Sequence, residues 1–173
     1  MRPGIAAAIT IRWIGRPGGA GVAKLPNILI LNGPNLNMLG VREPSIYGRD
    51  TLPDIAKMCA KRGKELGLAV DFRQSNIEGE LVTWIQQARG KAAGIVINPG
   101  GYGHSSVALL DALQIAELPV IEVHLSNIHR RERFRHHTFT SQAATGVICG
   151  LGAQGYLLAL DAIAALVNKK VRT

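Results

Sequence analysis

Short runs of β-branched and aliphatic residues alternate with helix-like stretches along most of the chain, and this alternation limits the architecture more than any other property. Asn27–Leu31, Leu68–Arg73, Ala92–Ile97, Pro119–Val123 and Gly146–Cys149 read as strands. Thr51, with Asp54 three residues on, opens a helix whose Leu52, Ile55, Ala56 and Cys59 share one face. Lys57, Lys61 and Lys64 lie off that face, and Gly67 stops the helix. Ser75 or Asn76 caps a second helix that runs to Arg89, and a third runs from Ser106 to Glu117. Arg130–Arg135 reads as a short basic helix, and Gly152–Val167 as a last, well-buried one. Strands joined by helical crossovers of one hand form a parallel sheet with helices on both faces. The expectation is an α/β, doubly wound, five-stranded parallel sheet of order 2-1-3-4-5, with its switch point between strands 1 and 3.

The ends of the chain differ from its middle. The formal charge of +8 resembles a nucleic-acid signal until it is located. Arg2, Arg12, Arg16 and Lys24 precede any acid, and Lys169, Lys170 and Arg172 close the chain. Without these seven, 13 basic residues face 12 acids, so residues 27–168 sum to +1 and a nucleic-acid face is excluded. Residues 1–26 are rich in Gly, Pro, Ala and Arg with little periodicity. They lack the serines of a transit peptide and read as a disordered extension or an over-called translation start. Residues 27–173 read as one catalytic domain. The longest apolar run, Tyr156–Val167, is too short to span a membrane and carries Asp161. Cys59 and Cys149 have no metal spacing and read as buried free thiols of a reducing, cytoplasmic compartment.

Three polar, Gly-rich loops converge where this topology places a ligand: residues 32–50, residues 98–106 and the turn after strand 4. In the second, the chain leaves a strand at Asn98, passes Gly100, Gly101 and Gly103, and enters a helix at Ser106. Bare backbone beside a helix N-terminus suits an oxygen-rich or anionic ligand, although a tight turn alone also requires glycine. The first loop holds Arg42 and Tyr47; a guanidinium near a phenol favours the phenolate and makes a usable base. The competing reading is a surface tyrosine packed on Pro44. Glu122 and His124 share a strand face, and a carboxylate beside an imidazole fixes its tautomer and suits it to general-acid work. A satisfied structural pair is the alternative. Arg131 and Arg135, four apart on a helix, would clamp a carboxylate or hydroxyls. Gly150–Gly155 matches GxGxxG but follows the last strand, and no acidic ribose partner stands about 20 residues on, so it reads as close helix–sheet packing. His104, Glu122, His124 and His129 lack a metal-ligand spacing, and no metal or cofactor is expected.

In order along the chain stand Asn32-Gly33-Pro34-Asn35-Leu36, Gly40-x-Arg42-Glu43-Pro44-x-x-Tyr47-Gly48, Arg73-Gln74-Ser75-Asn76 and Asn98-Pro99-Gly100. Ile121-Glu122-Val123-His124-x-Ser126-Asn127 and Gly146-Val147-Ile148-x-Gly150 follow. Together these resemble type II 3-dehydroquinate dehydratase over about residues 27–167. The resemblance implies a flavodoxin-like fold, a homo-oligomer that is a dodecamer built from trimers, and metal-free dehydration of 3-dehydroquinate to 3-dehydroshikimate in the shikimate or quinate pathway. It implies Tyr47 as base, Arg42 as its activator, Asn35 as stabiliser of the enolate through a water, His124 as general acid, and Glu122 within the site. It further implies substrate binding by Asn98, His104, Arg135 and the Leu125 and Ser126 backbone, with Asp111 reaching the site from a neighbouring subunit. No lysine lies in the motif loops, so a Schiff-base route has no nucleophile. The chain departs from the family pattern at Ile77, Gly101, Gly103, Ser105, Leu110 and Thr138. The two glycines are expected to loosen the loop around His104, and Leu110 removes a charge beside Asp111. A flavodoxin-like module that binds a polyol or carboxylate without turnover is the alternative function.

Overall fold

The computed structural model describes residues 10–13, 25–40 and 50–170. Its elements run β1 (Thr10–Trp13), β2 (Asn27–Asn32), α1 (Leu52–Glu65), β3 (Ala69–Gln74), α2 (Glu78–Ala88), β4 (Gly94–Asn98), α3 (Val107–Ala116), β5 (Val120–His124), β6 (Gly146–Cys149) and α4 (Gln154–Lys170). The sheet order is β1-β3-β2-β4-β5-β6. From β3 to β6 every pairing is parallel, which is the expected five-stranded order 2-1-3-4-5.

The sixth strand was not expected. Thr10–Trp13 pairs antiparallel with β3, from Thr10 opposite Arg73 to Trp13 opposite Val70. This places a strand within the stretch read as a disordered extension. β3 would otherwise present an unpaired row of backbone groups, and Thr-Ile-Arg-Trp is the β-branched and aromatic composition that pairs well. The other residues before 25 lie outside the described ones.

Both sheet faces are covered, which is why the parallel strands read as unbroken apolar runs. Ile28, Ile30, Val96, Ile121 and Val123 pack with Ile55, Cys59, Leu160 and Ile163 of α1 and α4. Leu29, Leu31, Ile95, Ile97 and Val120 pack on the other face with Leu81, Ile85, Leu109 and Leu113 of α2 and α3. The period of two along each strand sends alternate residues to opposite layers. Gly155 of the GxGxxG stretch supports the packing reading: a Cβ there would meet Val123 Cγ1 at 3.3 Å.

Thr51 caps α1 through a reciprocal pair, its hydroxyl accepting from the Asp54 N–H while the Asp54 carboxylate accepts from the Thr51 N–H. Ser106 caps α3 by accepting from the Leu109 N–H at 2.9 Å. The start of α2 differs from expectation. Its N-cap is Ile77, which has no capping side chain. The Ser75 hydroxyl instead accepts the Ile77 N–H and donates to Glu80, while Asn76 Oδ1 is taken by Asn35 and Gln74.

The short basic helix does not form as a unit. Ile128–Arg130 and Arg133–Arg135 are separate 3-10 turns, with Arg131 extended between them. Arginines four apart repel along a helix, and only Ile128 in the two turns is buried as an anchor. Cys59 is buried and Cys149, on the edge strand β6, only partly so, against the expectation of two buried thiols. Burial pushes the Cys59 thiol up to about 12. No helix among the described residues is long and apolar enough to cross a membrane.

Candidate active site

The carboxyl ends of β2, β4 and β5 stand side by side, with Asn32 in register with Asn98 and Ile97 with Glu122. The loops that leave these ends enclose a cleft of about 150 Å³ at the switch point. Asn35, Asn98, His104, His124, Leu125, Ser126 and Arg135, all singled out from the sequence, line it together.

β5 delivers the acid–base pair. Glu122 and His124 alternate with core residues and so point to one side of the strand, and both are buried. The His124 Nε2–H donates to Glu122 Oε1 at 2.6 Å, which leaves Nδ1 as the ring nitrogen not engaged by the carboxylate. Glu122 Oε2 is buried and has no hydrogen-bond partner among the described residues. The backbone around the pair is pinned from the last loop, by Gly150 N–H to the His124 carbonyl and Gly152 N–H to the Leu125 carbonyl.

The loop after β4 makes a 3-10 turn over Gly100–His104. His104 Nδ1 lies 2.9 Å from the His137 carbonyl, so that nitrogen carries the proton and donates. The ring stacks on His124 with centroids 6.1 Å apart. Burial lowers the His104 pKa, opposed by the His137 carbonyl and aided by the charges of His124 and Arg135. The loop is not loosened at Gly103 as expected. Gly103 is buried, its carbonyl accepts from Phe139 N–H at 2.7 Å, and a Cβ would stand 2.7 Å from Pro99 Cγ. Pro99 has closed onto the position that a side chain would occupy.

Asn35 has a left-handed backbone at φ 66°, held by donation of its N–H to Asn76 Oδ1 at 2.9 Å. Arg131 also lines the cleft, although it arrives from the extended link between the two turns and Arg135 from the second turn, not on one helix face. Glu132's own backbone N–H, and after it Arg135, whose Nε donates to Glu132 Oε2 at 2.9 Å, hold that carboxyl below its ordinary range. Leu36, Leu39 and Ile128 form an apolar wall that the sequence reading passed over. The spacing of Leu36 and Leu39 beside Asn35 was the available signal. Asp111 is exposed on α3 and does not line the cleft of its own chain. Arg42 and Tyr47 lie outside the described residues. No cluster of metal-ligating side chains occurs among the described residues.

A cleft with one buried imidazole–carboxylate pair, a second imidazole, amides and arginines, walled by leucines, suits proton transfer on a small polar anion. The family model Dehydroquinase class II matches residues 26–164. A 3-dehydroquinate dehydratase 2 of Pseudomonas putida is 60% identical over 145 residues, 84% of this chain and 97% of that protein. A 3-dehydroquinate dehydratase of Streptomyces coelicolor is 60% identical over 82% of this chain and 90% of its own length. The crystal structure of type II dehydroquinase from Propionibacterium acnes superposes with a TM-score of 0.78 at 49% identity, covering 80% of this chain and 96% of that one. The strand order, the cleft at the switch point and these matches agree: the chain belongs to the class II dehydroquinases.

Proposed function

We propose that this protein dehydrates 3-dehydroquinate to 3-dehydroshikimate, a step of the shikimate or quinate pathway, without metal or cofactor. The observation that carries the reading is the buried Glu122–His124 pair, its bond 2.6 Å long, opening onto a cleft that also holds Asn98, His104 and Arg135. Loss of water from a β-hydroxy ketone needs a base for the α-proton, a stabiliser for the enolate and an acid for the departing hydroxyl. Tyr47, as phenolate beside Arg42, takes the α-proton; the C–H electrons form the enolate, whose charge Asn35 stabilises through a water. The enolate collapses to the conjugated enone as the C–O bond breaks, and His124 protonates the hydroxyl so that it leaves as water. Glu122 holds the imidazole with its second nitrogen toward the substrate.

Asn98, His104, Arg135 and the backbone of Leu125 and Ser126 bind the hydroxyls and the carboxylate. The assembly is a dodecamer of trimers, with Asp111 of one subunit serving the site of the next, and the enzyme works in the cytoplasm. Enone formation from 3-dehydroquinate, followed by ultraviolet absorbance with the purified full chain, tests the function. Turnover is expected to persist in the presence of a chelator. Tight binding of 3-dehydroquinate with no enone formed would instead establish a binding module.

A further inference from the structure

We propose that Tyr156, at the start of α4, is a positioning residue that fixes which way the Asn98 amide faces and thereby which hydrogen-bonding group the cleft shows to its substrate. This rests on the reading of Asn98 as a substrate-binding residue. Tyr156 is fully buried in the layer of α1 and α4, yet its hydroxyl reaches the ends of β2 and β4. There it lies 2.6 Å from Asn32 Oδ1 and 3.0 Å from Asn98 Nδ2.

The hydrogen bonds have a forced direction. The Arg73 carbonyl of β3 only accepts, so it engages Asn32 Nδ2, at 2.9 Å. That turns Asn32 Oδ1 toward the phenol, and an amide oxygen also only accepts, so the phenol proton is committed to it. The phenol oxygen can then only accept from Asn98, which must present Nδ2. Asn98 Oδ1 in turn accepts the Gly100 N–H at 3.2 Å. Burial raises the Tyr156 pKa, so the phenol keeps the proton that this order requires. Reversing the Asn98 amide alone would set oxygen against a phenol oxygen with no proton left, and NH₂ against the Gly100 N–H. Asn98 thus has one orientation, set from a strand edge two strands away.

The test measures kcat and KM for 3-dehydroquinate in the wild type, Tyr156→Phe, Asn98→Ala and the double variant, with thermal unfolding of each. The ring stays in Tyr156→Phe, and an amide free to turn weakens ground-state and transition-state binding alike. Loss of one buried hydrogen bond predicts a KM raised about 5- to 30-fold with kcat little changed. In the Asn98→Ala background the same change should add nothing. A folded Tyr156→Phe enzyme with wild-type KM, or one whose KM rises by the same factor in both backgrounds, overturns the proposal. Should Tyr156→Phe not fold, Asn32→Ala replaces it: the phenol proton becomes free to serve a reversed Asn98, and KM should rise similarly. A wild-type KM there overturns the proposal. Wild-type KM in Asn98→Ala refutes the binding role of Asn98 and the proposal with it, whereas an inactive wild-type enzyme refutes the proposed function.

Discussion

His124 and Glu122 are two residues apart on β5, and their separate contributions can be told apart by substitution. His124→Ala removes the proposed proton donor and should lower kcat about 10²- to 10⁴-fold. Glu122→Gln keeps an oxygen for the His124 Nε2–H but loses the charge that favours imidazolium, so a smaller loss is expected from steady-state kinetics. Equal and mild losses in both would mark the pair as structural. Tyr47→Phe should abolish turnover while binding of 3-dehydroquinate, read by calorimetry, persists. His104 supplies a stability prediction. Its folded pKa lies below the ordinary 6.5 because burial disfavours the charged ring. The unfolded chain therefore binds the proton first: stability is full above about pH 6.5 and falls as pH drops through the lowered folded value. His104→Gln should flatten that acid limb in urea unfolding measured across pH. An unchanged slope would assign the acid sensitivity to other groups.

At the scale of elements, the site depends on loops anchored at both ends. The 3-10 turn over Gly100–His104 enters α3 through Ser106, which is buried and caps the helix with its hydroxyl. Ser106→Ala should cost about 1 kcal/mol of stability, read as a lower urea midpoint at constant slope. On the other side of that turn Pro99 lies so close to Gly103 that a Cβ there would stand 2.7 Å from the proline Cγ. The basic segment that follows β5 behaves differently. It has few buried contacts of its own and follows the cleft wall as two short turns, carrying Arg131 and Arg135 to the rim. β1 closes the outer edge of β3 and leaves β6 as the other sheet edge.

For the whole molecule, Asp111 poses the main question. It stands exposed on α3, more than a turn beyond Ser106, while the strand ends and their cleft lie at the start of that helix. A shared site predicts that His124→Ala and Asp111→Ala subunits, each inactive alone, recover activity when co-expressed. Some sites in the mixture would then pair an intact His124 with an intact Asp111, as closed symmetry allows. Verified mixed oligomers without activity, or a fully active Asp111→Ala enzyme, would exclude the shared site. Ile77, Val107, Phe134 and Leu151 each stand more than half exposed, which leaves apolar surface for such contacts.

Local signals were enough to determine the parallel sheet, the caps at Thr51 and Ser106 and the polar ends of β2, β4 and β5. Apolar periodicity and capping chemistry act over a few residues, and the right-handed crossover then restricts how the strands they define can be arranged, with 2-1-3-4-5 the common solution for five. The order of motifs along the chain likewise carried the family. Tertiary structure alone decided what depends on distant partners. The segment expected as a helix at Arg130–Arg135 instead runs along the cleft wall, which Arg131 and Arg135 line. Asn76 does not cap the second helix because the Asn35 N–H, 41 residues away, claims its Oδ1. Thr10–Trp13 became a strand because β3 offered an open edge. Tyr156 reads as one more apolar residue of a buried helix until Asn32 and Asn98, 124 and 58 residues away, meet its hydroxyl. A side chain's hydrogen-bonding role belongs to the groups that surround it after folding, and nothing in its sequence neighbours records them.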